Sequence, residues 1–380
     1  MNKQDLIKKT KRVVIKIGSA LLINPKTGKL QKTWLETLAF DIHNLIKLGI
    51  EVIIVSSGSI ALGKKQLNLT DNLSLDEKQA AAATGQITLA HAWKETMSEY
   101  ELNVAQILLA PDDTETRRKH LNARATLIKL LDLKVIPVIN ENDTVSTEEI
   151  RFGDNDRLAA RVAQMCSAGL LVLLSDIDGL YSSDPNKDKD SIFIDEITEI
   201  NSEIENMAGP THTSVSSGGM VTKIEAAKIA TNAGCHMVIC DGRVDNPLLK
   251  LLQINSKFSW FKANHQPMSA RKKWISAALQ VKGKIIIDQG ASDAIKQGNS
   301  VLPAGIIGTE GTYEKGDLIM IVDKNKKIIG KGLTHFNQAE VELIRGCHSD
   351  NIETILGYRG KDEVVHRDDL VLEKSKSNNL

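Results

Sequence analysis

Val13-Val14-Ile15-Lys16-Ile17-Gly18-Ser19 decides how this chain is read. The β-branched run predicts a buried strand that ends in a glycine turn. Lys16 interrupts it with a charge, and a lysine buried near a strand end is costly unless an anion meets it. The Gly18-Ser19 turn offers backbone N–H groups, which favour an anion as well. The stretch therefore predicts a phosphate or carboxylate site beyond the carboxyl end of a strand.

Working outward, strands and helices alternate up to about residue 260. An amphipathic helix is expected from Trp34 to Leu48, stopped by Gly49, and then a strand over Glu51-Val52-Ile53-Ile54-Val55-Ser56-Ser57-Gly58. Ser74 with Glu77 is a capping-box signature that opens a long helix. Strands follow at Val104–Leu109, Val135–Asn140, Leu170–Ser175 and Cys235–Cys240, with helices at Leu121–Leu131, Asp156–Ala168 and Met220–Ala233. This alternation predicts an α/β domain over residues 1–260, an open, mostly parallel sheet sandwiched by helices. Ligands in such sheets bind beyond the carboxyl ends of the strands. Lys8, Lys9, Lys11 and Arg12 read as a solvated lead-in to the first strand.

The texture then changes. Residues 261–273 are polar and read as a linker, and residues 274–372 show short strands with recurrent glycine turns. Asp323-Lys324-Asn325-Lys326 reads as a hairpin turn between apolar strands. A small, mostly β second domain is expected there, with a disordered tail over 373–380. Charge is balanced, 48 basic against 48 acidic residues, which removes any global argument for nucleic acid or an anionic membrane. The absence of a membrane-length apolar run and of a signal-peptide core points to the cytoplasm. The four cysteines, Cys166, Cys235, Cys240 and Cys347, lack CxxC spacing and read as reduced structural thiols. Cys235-His236 with Cys240 reads as one buried strand, not a metal site.

Polar residues end several strands of the first domain: Ser56-Ser57-Gly58, Asn140-Glu141-Asn142-Asp143 and Ser175-Asp176. Each alone is commonplace; together on one rim they mark a site. Gly153-Asp154-Asn155-Asp156 exceeds what a helix cap requires. Its surplus suits gripping an amino group or orienting a lysine. Ser216-Ser217-Gly218-Gly219-Met220-Val221-Thr222-Lys223 is a glycine-rich loop opening a helix, a phosphate-binding arrangement with Lys223 in the first turn. Gly58-Ser59-Ile60-Ala61-Leu62-Gly63-Lys64-Lys65 nearly matches the Walker A pattern. It lacks the Mg²⁺-binding hydroxyl at Lys65, and its intervening residues are apolar helix formers, so that reading is rejected.

Lys16-Ile17-Gly18-Ser19, Ser56-Ser57-Gly58, Pro137 to Asp143, Gly153 to Asp156, Ser175-Asp176 with Gly179-Leu180-Tyr181, and Gly218 to Lys223 together resemble the amino acid kinase superfamily. The Asn-Glu-Asn-Asp and Gly-Asp-Asn-Asp pair is specific to its glutamate-phosphorylating branch. The second domain resembles the PUA domain, with Ile355-Leu356-Gly357-Tyr358 and Val365-His366-Arg367-Asp368-Asp369 matching its end. The resemblance implies ATP-dependent phosphorylation of the side-chain carboxylate of L-glutamate to an acyl phosphate, opening proline biosynthesis. It implies Lys16 and Lys223 as lysines facing the transferring phosphoryl group, with Asp156 orienting both. Ser57, Asp143 and Asn155 match glutamate-binding positions, Asp154 lies beside them, and Gly58 is assigned to the same site because it lets a carboxylate approach the backbone. Lys16, Gly18, Ser175, Asp176, Ser217, Gly218, Gly219, Met220, Val221, Thr222 and Lys223 match nucleotide contacts. Mg²⁺ would be held largely by ATP oxygens and water, with no protein metal ligand assigned. The family further implies inhibition by proline, a homo-oligomer (dimer or tetramer) and functional coupling to glutamyl phosphate reductase. Ser19-Ala20, Ser175 and Ser216-Ser217 depart from the usual Thr-Ser, Thr and Gly-Thr without removing a charged group.

The free amino group suited by Gly-Asp-Asn-Asp argues against acetylglutamate or a nucleoside monophosphate as acceptor, and the resemblance of the motif pair to the glutamate-phosphorylating branch argues against aspartate. RNA binding, common among PUA domains, is disfavoured: residues 271–380 carry 17 Lys and Arg against 15 Asp and Glu, with no basic stripe.

Overall fold

The computed structural model describes residues 2–70, 72–145, 155–208, 219–267, 269, 272, 275 and 280–373. The chain forms two compact units, Met1–Pro267 and Met268–Leu380. The expected linker at 261–273 begins inside the first unit, because Phe261 is a buried strand residue and not a solvated spacer.

The strands of the first unit are β1 (Arg12–Ile17), β2 (Glu51–Ser56), β3 (Asn103–Leu109), β4 (Val135–Glu141), β5 (Leu170–Ser175), β6 (Leu180–Tyr181), β7 (Phe193–Ile194), β8 (Glu196–Ile197), β9 (His236–Asp241) and β10 (Phe258–Phe261). Eight of them form one sheet in the order β3-β4-β2-β1-β5-β9-β10-β8, while β6 and β7 pair separately. β1 is central, parallel to β2 and to β5, and β9 is parallel to β5. Among the described residues only the β9–β10 pairing in this sheet is antiparallel, so the sheet is mostly parallel.

The helices are α1 (Lys3–Lys9), α2 (Ser19–Leu22), α3 (Lys32–Lys47), α4 (Ser59–Gln66), α5 (Leu75–Ser98), α6 (Pro111–Glu115), α7 (Arg117–Asp132), α8 (Asn155–Cys166), α9 (Ser202–Met207), α10 (Met220–Asn232) and α11 (Pro247–Leu251). The basic lead-in is solvated as expected, with Lys8, Lys9 and Lys11 exposed and Arg12 opening β1. Lys8 and Lys9 also end α1, a helix the sequence reading did not include, where Asn2 caps Asp5 N and Ile7 is buried. The expected capping box at Ser74 and Glu77 is present at the start of α5.

Alternation along the strands sends side chains to two cores. Val13, Ile15 and Ile17 pack with Trp34, Leu35, Leu38, Leu89 and Trp93 of α3 and α5. Val14 packs with Leu158, Val162, Ile224 and Ala227 of α8 and α10. Lys16 alternates with Ile15 and Ile17, so it points to the α8–α10 side. Cys235 and Cys240 are buried beside and within β9, and burial pushes both thiols far up, as inert structural cysteines require. No described helix is long and apolar enough to cross a membrane.

In the second unit, β11 (Gly283–Ile287), β12 (Ile306–Gly311), β13 (Leu318–Asp323), β14 (Ile328–Thr334) and β15 (Val365–Leu372) form a sheet in the order β12-β11-β13-β14-β15. The hairpin at Asp323–Lys326 joins β13 and β14. Asp323 Oδ1 accepts from Asn325 N and Lys327 N, and Lys326 has φ of +67°. Its core is built from Ile285, Ile319, Ile321, Phe336, Val341 and Leu370. The expected disordered tail lies, from residue 374, outside the described residues.

Candidate active site

Three elements meet at the carboxyl rim of the sheet. Lys16 comes from the end of β1, Asp156 from the first turn of α8 and Lys223 from the first turn of α10. Lys16 Nζ lies 2.6 Å from Asp156 Oδ1, and Lys223 Nζ lies 2.9 Å from Asp156 Oδ2. Thr222 Oγ1 adds a long contact to Oδ2 at 3.4 Å while donating to Gly219 O at 2.7 Å. Both lysines retain only 6% exposure and Asp156 none. Burial pulls the Asp156 carboxyl upward, but the two ammonium groups outweigh it and hold it below the usual carboxylate range.

This cluster is expensive as mere structure. Removing ions from water costs several kcal/mol per ion, and an apolar core of equal volume is often as stable. Lys223 also opposes the positive end of the α10 macrodipole, a further cost of about 0.3–1 kcal/mol. Such a placement suits lysines that meet an anionic ligand.

A second set of groups lies under the adjoining strand ends. Asn155 Nδ2 shares its two hydrogens among three acceptors, Ser56 O at 3.0 Å, Ser57 Oγ at 2.8 Å and Asn140 Oδ1 at 2.8 Å. Asn140 Nδ2 in turn donates to Gln86 Oε1 at 2.8 Å and Ser59 Oγ at 3.1 Å. Trp93 Nε1 donates to Ser56 Oγ at 3.0 Å. Gly58 has φ of +106°, the left-handed region a side chain avoids, and begins α4. Asp143 is half-buried in the turn after β4. Ser57, Gly58 and Asn155 thus gather at one rim with the lysine cluster, Asp143 following the neighbouring strand. Asp154 lies outside the described residues.

At the nucleotide-type positions, Gly18 follows β1 with open space where a Cβ would stand. Ser175 ends β5 and donates from Oγ to Asp176 Oδ1 at 3.1 Å, while Asp176 is exposed. Gly219 is the extended N-cap of α10, followed by half-buried Met220, Val221 and Thr222. Ser217 and Gly218 lie outside the described residues. Among the described residues no group of three His, Cys, Asp or Glu side chains could hold a metal ion.

Asn140, Ser56, Ser59, Gln86 and Trp93 join the site without having been expected there as individual residues. Asn140 heads the Asn-Glu-Asn-Asp motif and could have been included. Gln86 sits between Ala82, Leu89 and Trp93 on the buried stripe of α5, and a polar residue on such a stripe was its signal.

A model of the amino acid kinase family matches residues 11–241, and a PUA domain model matches residues 283–356. The chain belongs to the amino acid kinase family. Within it the similarity is to glutamate 5-kinases. That of Paramagnetospirillum magneticum is 52% identical over 363 residues, covering 96% of this chain and 98% of its own. That of Agrobacterium fabrum is 52% identical over 362 residues, covering 95% and 92%. That of Rhodospirillum rubrum is 51% identical over 361 residues, covering 95% and 96%. The chain is thus a kinase of this family with an appended PUA domain, and Lys16, Asp156 and Lys223 all fall inside the span that the kinase model matches.

Proposed function

We propose that this kinase transfers the γ-phosphoryl group of ATP to the side-chain carboxylate of L-glutamate, giving L-glutamyl 5-phosphate for proline biosynthesis. The observation that carries the reading is the convergence of Lys16 and Lys223 on one carboxylate at the carboxyl rim, beside the Asn155–Ser57 pair. The similarity to glutamate 5-kinases over nearly the whole chain supports glutamate as acceptor.

A glutamate side-chain oxygen attacks the γ-phosphorus, and the bond to the β–γ bridging oxygen breaks. ADP leaves with that electron pair. The acceptor is already ionised at neutral pH, so no base is needed to remove a proton. The protein's contribution is positioning and neutralisation of charge on the moving phosphoryl group. Lys16 serves the transferring group, Lys223 the leaving side, and Asp156 aligns both ammonium groups. Ser57, Gly58, Asp143, Asp154 and Asn155 hold glutamate. Gly18, Ser175, Asp176 and residues Ser217 to Thr222 hold the nucleotide, with the open space at Gly18 and the bare Gly219 N-cap leaving room for phosphates. Mg²⁺ would enter with ATP, held largely by ATP oxygens and water, and would supply further charge neutralisation.

The same reading includes cytoplasmic action, inhibition by proline, assembly as a dimer or tetramer, delivery of product to glutamyl phosphate reductase, and a PUA domain that does not bind RNA. The deciding experiment traps the acyl phosphate with hydroxylamine, comparing glutamate, acetylglutamate and aspartate. A signal with glutamate alone is expected; a stronger signal with either rival overturns the assignment.

A further inference from the structure

We propose that Gln86 is a positioning residue that reinforces, through Asn140, the orientation in which the Asn155 amide faces the acceptor, and so helps select an acceptor bearing an α-ammonium group. The proposal rests on the glutamate reading above and deepens it.

Hydrogen-bond directions fix the orientation of each amide in turn. An amide group has one accepting and one donating end, and only its partners tell which way it points. Ser56 O can only accept, so the end of Asn155 that meets it must be Nδ2. The same nitrogen also meets Asn140 at 2.8 Å, so Asn140 must present Oδ1 there. Asn140 Oδ1 additionally accepts from Glu141 N at 2.9 Å. The other end of Asn140, Nδ2, then has to find acceptors, and it finds Gln86 Oε1 at 2.8 Å and Ser59 Oγ at 3.1 Å. Gln86 closes the relay from the helix side. All three amides are nearly out of water, with 8%, 3% and 7% exposure for Gln86, Asn140 and Asn155, so a reversed amide would leave a buried donor or acceptor unmet.

With its nitrogen turned toward Ser56 O, Ser57 Oγ and Asn140 Oδ1, its two hydrogens shared among them, Asn155 turns its amide oxygen the other way. An amide oxygen accepts, which matches an ammonium group and does not match a carboxylate. The relay thus gives the pocket a polarity as well as a shape.

Packing explains why Gln86 can reach Asn140. The neighbouring Gly85 lies so close to α4 that a Cβ there would stand 1.9 Å from Ser59 O. This contact brings α5 down onto the start of α4, beside Ser59, the other acceptor of Asn140 Nδ2.

The test compares the wild type with Gln86→Leu and Gln86→Glu, measuring acyl phosphate formation from L-glutamate and from glutarate, which keeps the acceptor carboxylate but lacks the ammonium group. Gln86→Leu is expected to raise the glutamate KM about tenfold, with the ATP KM within about twofold, and to reduce the preference for glutamate over glutarate by a similar factor. Gln86→Glu keeps an acceptor for Asn140 Nδ2 and is expected to recover most of both losses. Thermal unfolding of each variant reports folding. A wild-type glutamate-to-glutarate preference in Gln86→Leu overturns the proposal, as does a folded Gln86→Glu variant as impaired as Gln86→Leu. A wild-type protein that does not phosphorylate glutamate would instead overturn the underlying reading, and the proposal with it.

Discussion

Lys16 and Lys223 approach opposite oxygens of the same carboxylate, Oδ1 and Oδ2 of Asp156, at 2.6 and 2.9 Å. One lysine comes from the central strand and the other from a helix start far along the chain, so the fold itself sets their separation.

If both lysines neutralise the phosphoryl group in flight, Lys16→Ala and Lys223→Ala each lower turnover about 10²-fold or more at saturating substrates, as for loss of a transition-state donor. The double variant should fall well short of the product of the two losses, because the groups act through one shared carboxylate. Steady-state kinetics by hydroxylamine trapping measures this; near-normal turnover in both single variants would refute the assignment.

Asp156 also gives the protein an acid-sensitive element. Its folded-state pKa lies below the ordinary 3.8, so between the two values the unfolded chain binds the proton more readily than the folded one. Stability from this group is therefore fully present above the ordinary carboxylate range and is lost as pH falls through the folded value. Urea midpoints measured across acid pH should fall in the wild type. In Asp156→Asn the acid-dependent loss should be shallower, on a baseline already lowered by about 3–5 kcal/mol because two buried lysines lose their counter-ion.

The rim of this site was legible because β1, β2, β4 and β5 are apolar runs ending abruptly in polar residues. Lys16 declared itself as a charge within such a run. The lysine–aspartate contacts were not legible from spacing, since they join β1, α8 and α10 across long intervals. The last two strands on the β9 side of the sheet were harder: β8 has two residues, and β10, antiparallel to β9, is only four long, so neither carries enough alternation to be read. Gln86 escaped because a glutamine inside a helix ordinarily reads as solvent-facing; only the buried stripe around it shows otherwise.

If Asp143 and Asn155 hold glutamate, they separate binding from chemistry. Asp143→Ala and Asn155→Ala should raise the glutamate KM while leaving the ATP KM within about twofold. Asn155→Ala should also lower stability by about 1–3 kcal/mol, since Ser56 O loses a buried donor. Initial-rate measurements with each substrate varied in turn distinguish the two effects. A change confined to ATP would place glutamate elsewhere.

Gly63 and Gly85 contrast sharply with Gly18. A Cβ on Gly63 would stand 1.8 Å from Ala81 O, and one on Gly85 1.9 Å from Ser59 O; both obstacles are backbone atoms of a facing helix. The second glycine of the Walker-like stretch therefore serves the contact between α4 and α5, which explains an apolar helix where a phosphate loop would need exposed N–H groups. Gly63→Ala and Gly85→Ala must part the helices and should each cost about 1–3 kcal/mol of stability or more. Gly18 has φ of −73° and nothing within 4 Å of the position a Cβ would take, so Gly18→Ala should change stability by less than about 0.5 kcal/mol. It should instead raise the ATP KM, because the added methyl intrudes on the space assigned to phosphate. Urea unfolding and nucleotide kinetics on the three variants check this: Gly63→Ala that unfolds like the wild type but loses ATP affinity would return the Walker-like stretch to the nucleotide.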